Sequence, residues 1–381
     1  VKKNQIGIIF LVIILGLAIL PIVKLAFFKK EAVVSPEISP VTEDLQEARF
    51  YEKLSGGRVQ CNLCPNRCIL SPGQRGVCKV RENIDGQLYS LVYGKPITTH
   101  VDPIEKKPFY HFLPSSQAYS LATVGCNLSC QYCQNWDISQ RFPGDVTPME
   151  KTPDEVVQEA LDAGAESIAF TYNEPTVWYE YMYDIAKLAK EKGLRTTLVS
   201  AGYINAEPLE ELLEVLDAAR IDLKGFNEKY YQEIVGGKLE PVLEALKIIH
   251  QSGTWLEIIN LIVPGHNDDG EEIRAMCQWI KDNLDEDVPI HFLRFSPQYK
   301  MQNLPATPIE TLKKARQIAQ EVGLKYVYTG NVPEYTEGNT TFCPDNDEPL
   351  IVRKGFFVTQ NTLDENGQSS TCPSKIPGVW Q

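Results

Sequence analysis

From about residue 118 the chain alternates short apolar, β-branched runs with longer amphipathic stretches. The runs read AYSLATV, SIAFTY, RTTLVS, ARIDL, WLEIINLIV, IHFLRF and KYVY, and each has the residue types and length of a strand. Helical stretches lie between most of them. In TPDEVVQEALDAG, Thr152 caps the start, Pro153 fits the first turn and Gly164 stops the helix. The same stop recurs at Gly193, Gly253 and Gly323, each followed closely by a strand, as in the αβ loops of parallel sheets. About six or seven such units over residues 118–335 predict an α/β fold, a (β/α) barrel or partial barrel. A doubly wound open sheet fits the same rhythm.

The front of the chain has a different pattern. Ile6 to Val23 form eighteen residues without a charge, bounded by Lys2 and Lys3 on one side and Lys24, Lys29 and Lys30 on the other. That is long enough to span a bilayer core as a helix, longer than most signal-peptide apolar regions, and no small-x-small cleavage site follows. Residues 1–30 are therefore expected to form a single-pass membrane anchor. The lysine distribution sets the body in the cytoplasm. Residues 31–46, polar and proline-bearing, read as a linker. The formal charge of the 381 residues is -13, and the first thirty hold five lysines and no acid, so the rest carries -18. So acidic a body excludes non-specific nucleic-acid binding.

Seven of the ten cysteines lie in two tight clusters. Near neighbours are poor loop-closing partners and good shared metal ligands, so the clusters point to metal. Cys126, Cys130 and Cys133 follow the first barrel run in GCNLSCQYC, with no fourth cysteine or histidine close behind. A structural zinc site closes with four protein ligands, whereas three thiolates suit a [4Fe-4S] cube with one iron left for a substrate. Active sites of (β/α) barrels gather at the C-terminal strand ends, and polar residues cluster there. They are Asn173 and Glu174 in NEP, Ser200, Asp222 and Lys224 in IDLKG, His266 and Asn267, His291 and Arg294, and Asn331 and Glu334. Glu174 can accept from a ligand ammonium and Lys224 can pair with its carboxylate. Ser200 and Asn173 can bind hydroxyls or the same amino-acid group, and Tyr132 can pack beside a flat base. Such a set suits S-adenosylmethionine (SAM).

CNLSCQYC resembles the cluster motif of the radical SAM superfamily, TYNEP its segment for the methionine amino group, and DLKG the Asp-x-Lys of activating enzymes of pyruvate formate-lyase type. CNLCPNRCILSPGQRGVCKVR, DPIEKKPFYHF, IVPGHND, FSPQYKM and KIPGVW extend the likeness across residues 47–381. Together they resemble the radical enzyme of the AmmeMemoRadiSam system. The resemblance implies a radical SAM partial TIM barrel in which Cys126, Cys130 and Cys133 bind the [4Fe-4S] cluster. It places Glu174, Ser200, Asp222, Lys224 and His291 around SAM. It also implies reductive cleavage of SAM to methionine and a 5′-deoxyadenosyl radical that abstracts hydrogen from a substrate. A low-potential flavodoxin- or ferredoxin-type donor and AMMECR-type and Memo-type proteins are the implied partners. Two other readings stand beside this one, a glycyl-radical enzyme activase and a membrane-tethered metal scaffold.

The remaining cysteines divide in two. Cys61, Cys64, Cys68 and Cys78 fall in an N-terminal Cys-rich segment, residues 47–117, where four thiolates can close a zinc site or hold an auxiliary iron–sulfur cluster. In the C-terminal tail, residues 336–381, the family pattern has two C-x2-C pairs but this chain keeps only Cys343 and Cys372. The tail is expected to keep short ribbon-like strands in PLIVRKGFFVTQN, to hold no metal and to leave both thiols reduced.

Overall fold

The computed structural model describes residues 45–332 and 336–381. Its centre is one eight-stranded sheet. The strands are β1 (Thr98–Pro103), β2 (Gln117–Ala122), β3 (Ser167–Phe170), β4 (Arg195–Ser200), β5 (Ala218–Asp222), β6 (Trp255–Ile262), β7 (Ile290–Arg294) and β8 (Val327–Gly330). Their spatial order is their chain order. β1 runs antiparallel to β2, and every pairing from β2 to β8 is parallel. A doubly wound sheet would reverse its strand order midway. This one does not, which leaves the unclosed (β/α) barrel.

Each parallel crossover carries one principal helix: α1 (Pro153–Asp162), α2 (Tyr179–Glu191), α3 (Ala206–Leu213), α4 (Glu240–Ser252), α5 (Gly270–Asn283) and α6 (Ile309–Val322). Thr152 and Glu155 form a reciprocal capping box at the start of α1, which satisfies two backbone donors at the helix N-terminus. The four glycine stops are left-handed, with φ of 65° at Gly164, 82° at Gly193, 81° at Gly253 and 103° at Gly323. Apolar side chains of the strands and of the inner helix faces make one continuous core.

Two three-stranded antiparallel sheets of very short strands precede β1, and a third follows β8. The tail sheet (Thr341–Phe342, Pro349–Lys354, Phe357–Asn361) packs Leu350 and Ile351 against Tyr326 and Tyr328 at the end of the barrel. Arg353 is fully buried there; its guanidinium donates to the Tyr110 carbonyl at 2.7 Å and lies 4.1 Å from the Tyr110 ring centre.

Two expectations are corrected. No helix among the described residues is long and apolar enough to cross a membrane, so the single-pass arrangement with a transmembrane helix is withdrawn. The run on which it rested, Ile6–Val23, lies outside the described residues, as does Glu334. In the tail, Cys343 and Cys372 are not free thiols but a disulfide, their Cα atoms 5.6 Å apart, a separation at which the bond closes without backbone movement. The sheet folds the two cysteines together across 29 residues, which local spacing gives no means of anticipating.

Candidate active site

The loop after β2 carries Cys126, Cys130 and Cys133, and the fold pins it from several sides. Asn173, just past β3, donates its amide to the Gly125 carbonyl at 2.9 Å while its own oxygen accepts from the Trp178 indole at 3.1 Å. The Asn127 amide donates to the Tyr203 carbonyl at 2.7 Å. The Ser129 and Gln131 N–H groups donate to the Val235 and Ile234 carbonyls at 2.9 and 3.0 Å. Gly125 has a φ of 92°, and a Cβ there would sit 2.6 Å from both the Cys78 carbonyl oxygen and a methyl of Val80. Only glycine lets this loop lie against the N-terminal cysteine segment.

Around the three thiols stand residues from the next three strand ends. Glu174 is buried, and its carboxylate accepts from the Ser200 hydroxyl at 2.6 Å, the Ala201 N–H at 2.8 Å and the Thr176 hydroxyl at 2.8 Å. The Ser200 hydroxyl is thus spent on fixing Glu174. Asp222 pairs with Arg220 at 2.6 Å and with Lys224 at 3.1 Å. Burial opposes charge on both, yet Arg220 and Lys224 hold the Asp222 carboxyl below its usual range, and Asp222 and Cys130 hold the Lys224 ammonium above its own. Tyr132 is buried and stacks on Tyr230, their ring centres 6.4 Å apart.

Burial pushes the Cys126 thiol well above its ordinary range, with the Glu174 charge adding to it. Burial also pushes Cys130 up to about 11, partly offset by Lys224. Buried thiols do not ionise unaided, whereas metal ligation needs the thiolate. The three free sulfurs on a fixed loop therefore fit a group that supplies its own positive charge. An acid (Glu174) and a cation (Lys224) both act on them electrostatically.

His291 stands apart from that group. It is buried, its Nε2 lies 2.7 Å from Glu257, and its ring packs edge-on against Tyr110. Burial lowers its pKa, and Glu257 offsets part of that. His291 also borders a cavity of about 830 Å³, its opening included, together with Gln134, Arg220 and Asn331. Gln134 follows Cys133 directly, so this cavity adjoins the cysteine loop. Asn267 is a turn residue, accepting from the Val263 N–H at 2.6 Å and donating to the Lys224 carbonyl at 2.7 Å. Sequence reasoning missed Arg220 and Glu257. Their signal was a charge inside a mostly apolar strand run, Arg220 in ARIDL and Glu257 in WLEII. Glu257 accepts from the Tyr110 and His111 N–H groups and the Trp255 indole, which ties the segment before β2 across the barrel.

Residues 120–280 match the sequence profile of the Radical SAM superfamily. An uncharacterized protein of Methanocaldococcus jannaschii is 46% identical over 333 residues, covering 87% of this chain and 99% of its own. The pyruvate formate-lyase 1-activating enzyme of Escherichia coli K12 is 26% identical over 218 residues, 54% of this chain and 89% of that enzyme. Among solved structures, a radical SAM methyltransferase from Sphaerobacter thermophilus superposes with a TM-score of 0.46 at 15% identity, covering 75% of this chain and 76% of that one. Residues 120–280, which hold the cysteine loop and most of the barrel, are thus a domain of the Radical SAM superfamily, enzymes that use a [4Fe-4S] cluster and SAM and need a reductant.

Proposed function

We propose that Cys126, Cys130 and Cys133 would hold the [4Fe-4S] cluster and that Glu174 and Lys224 would take the ammonium and the carboxylate of SAM. The observation that carries this reading is the pair of opposite charges flanking three free thiols on one pinned loop. An amino acid's ammonium and carboxylate ask for that pair. When bound, the cluster would supply the electron for reductive cleavage of SAM to methionine and a 5′-deoxyadenosyl radical, which would take a hydrogen atom from the substrate.

This chain's residues position and shield. Ser200 and the Ala201 N–H orient the Glu174 carboxylate to receive the ligand ammonium, and Asp222 keeps the Lys224 ammonium charged for the ligand carboxylate. Asn173 acts through the loop, holding the Gly125 carbonyl. Tyr132, stacked on Tyr230, closes one wall and keeps water from the reacting centre. The cavity bordered by Gln134, Arg220, His291 and Asn331 receives the substrate. Lys224→Ala should weaken SAM binding at least tenfold while leaving iron content intact. Loss of iron in that variant would contradict the role given to Lys224.

A second reading, activation of a glycyl-radical enzyme, draws support from the likeness to pyruvate formate-lyase-activating enzymes. It predicts a glycine-centred radical on a partner polypeptide, seen by EPR after incubation with SAM and a reductant. Association with AMMECR-type and Memo-type proteins rests on the sequence resemblance alone.

A further inference from the structure

Cys61, Cys64, Cys68 and Cys78 are all free and line a single cavity, with Arg81 and Asn127 completing its wall. How widely the four sulfurs are set discriminates between a single ion and a larger group. A tetrahedral zinc with Zn–S bonds of about 2.3 Å draws its sulfurs to within roughly 3.8 Å of one another. A cube of four irons carries its ligands on separate corners and holds them wider apart. Among the described residues, three or more metal-ligating atoms come within 4.8 Å of one another at Cys343, Asp345 and Cys372 and at no other group. The ring is therefore not drawn to zinc spacing, and neither is the Cys126 triplet.

Gly76 gives an independent sign. A Cβ at that position would stand 3.6 Å from the Cys78 sulfur and 3.7 Å from the Cys68 sulfur. It would lie in contact with two of the four donors. The backbone there has no positive φ that would itself call for glycine, so what the missing side chain leaves is room. Arg81 lines the same cavity, its guanidinium buried and paired with Glu180 at 3.0 Å while its Nε–H has no partner, a donor available to an anionic group.

We propose that Cys61, Cys64, Cys68 and Cys78 hold a second [4Fe-4S] cluster, ligated on all four corners and adjoining the first. The two sites share a wall. Asn127, next to Cys126, hydrogen-bonds the Cys64 thiol through its side chain and accepts from the Asn66 amide at 2.8 Å. The Cys78 carbonyl meets the Gly125 backbone so closely that the Cα atoms of Cys78 and Cys126 lie at most about 10 Å apart.

The test is anaerobic reconstitution of the full chain with iron and sulfide in the presence of zinc, followed by metal analysis and EPR of the reduced protein. Wild type should bind about eight iron and eight sulfide per chain, with a signal broadened by coupling between neighbouring clusters. The Cys126→Ala/Cys130→Ala/Cys133→Ala protein should keep about four iron and give a sharper signal. That outcome does not depend on how the triplet is read. Cys64→Ala/Cys68→Ala should also fall to about four. One zinc per chain, retained in the triplet variant and lost with Cys64 and Cys68, would overturn the proposal. So would a triplet variant that folds and binds no iron.

Discussion

The N-terminal ring and the C-terminal tail are both built on three-stranded antiparallel sheets of short strands flanking the same barrel, yet their cysteines end in opposite states. In the ring four thiols stay free around a cavity, beside the buried ion pair of Arg81 and Glu180 at 3.0 Å. In the tail two cysteines close on each other, and the strands lean on a shelf of tyrosines from β8 and the segment before β2. Such short strands bury too little apolar surface to hold themselves. The tail is stapled covalently and by packing. The ring keeps its four thiols on a cavity wall while its apolar residues join the barrel core.

The contrast can be broken from either side. Arg81→Met leaves the Glu180 carboxylate buried without its cation, and urea unfolding should show a loss of about 3–5 kcal/mol. Adding Glu180→Gln should restore much of it; a single variant as stable as wild type would mean the pair is not what anchors the ring. On the other side, Cys343→Ser/Cys372→Ser opens a loop of 29 residues and should lower stability by roughly 3–4 kcal/mol. Iron content of that variant should be unchanged, because the staple and the ring are separate. A fall in iron would join the two regions that the comparison separates.

Acid should find the tail before the ring. His111 Nδ1 donates to the Pro377 carbonyl at 2.7 Å and Nε2 accepts from the Tyr328 hydroxyl at 2.6 Å, an arrangement that needs the neutral imidazole. Burial lowers its pKa to about 4, with Glu257 partly opposing and Arg353 and His291 reinforcing. The unfolded chain therefore takes up the proton first as pH falls. The stabilisation is complete above about pH 6.5 and is lost progressively down to about 4, up to roughly 3 kcal/mol. His111→Asn should flatten that slope in denaturation measured across the window. An unchanged slope would assign the acid sensitivity elsewhere. The smallest effect is expected outside both regions, where Thr152→Ala removes the α1 capping box for about 1 kcal/mol of thermal stability.

The barrel was legible because its strands are apolar runs cut by glycine stops, and all seven runs became β2 to β8. The antiparallel β1, TTHVDP, escaped notice because a proline, an aspartate and a histidine leave it no apolar pattern. The candidate site was legible where neighbours in sequence act together, as in CNLSCQYC and IDLKG. It was not legible where function passes through space. Asn173 reads as a ligand-binding residue in NEP, but its partner, the Gly125 carbonyl, is 48 residues away. Arg220 and Glu257 look like exceptions in apolar strands until the barrel turns them inward. The disulfide pairs two tail cysteines that the family likeness presented as remnants of a metal site.

The proposed chemistry depends on the cysteine triplet. Its most direct test is the rate of 5′-deoxyadenosine formation from SAM by anaerobically reconstituted protein with a low-potential reductant, wild type against Cys130→Ala. Reductive cleavage should proceed in the wild type and fall at least a hundredfold in the variant, because one corner of the cluster loses its protein ligand. Cleavage at an equal rate in both proteins would contradict the assignment.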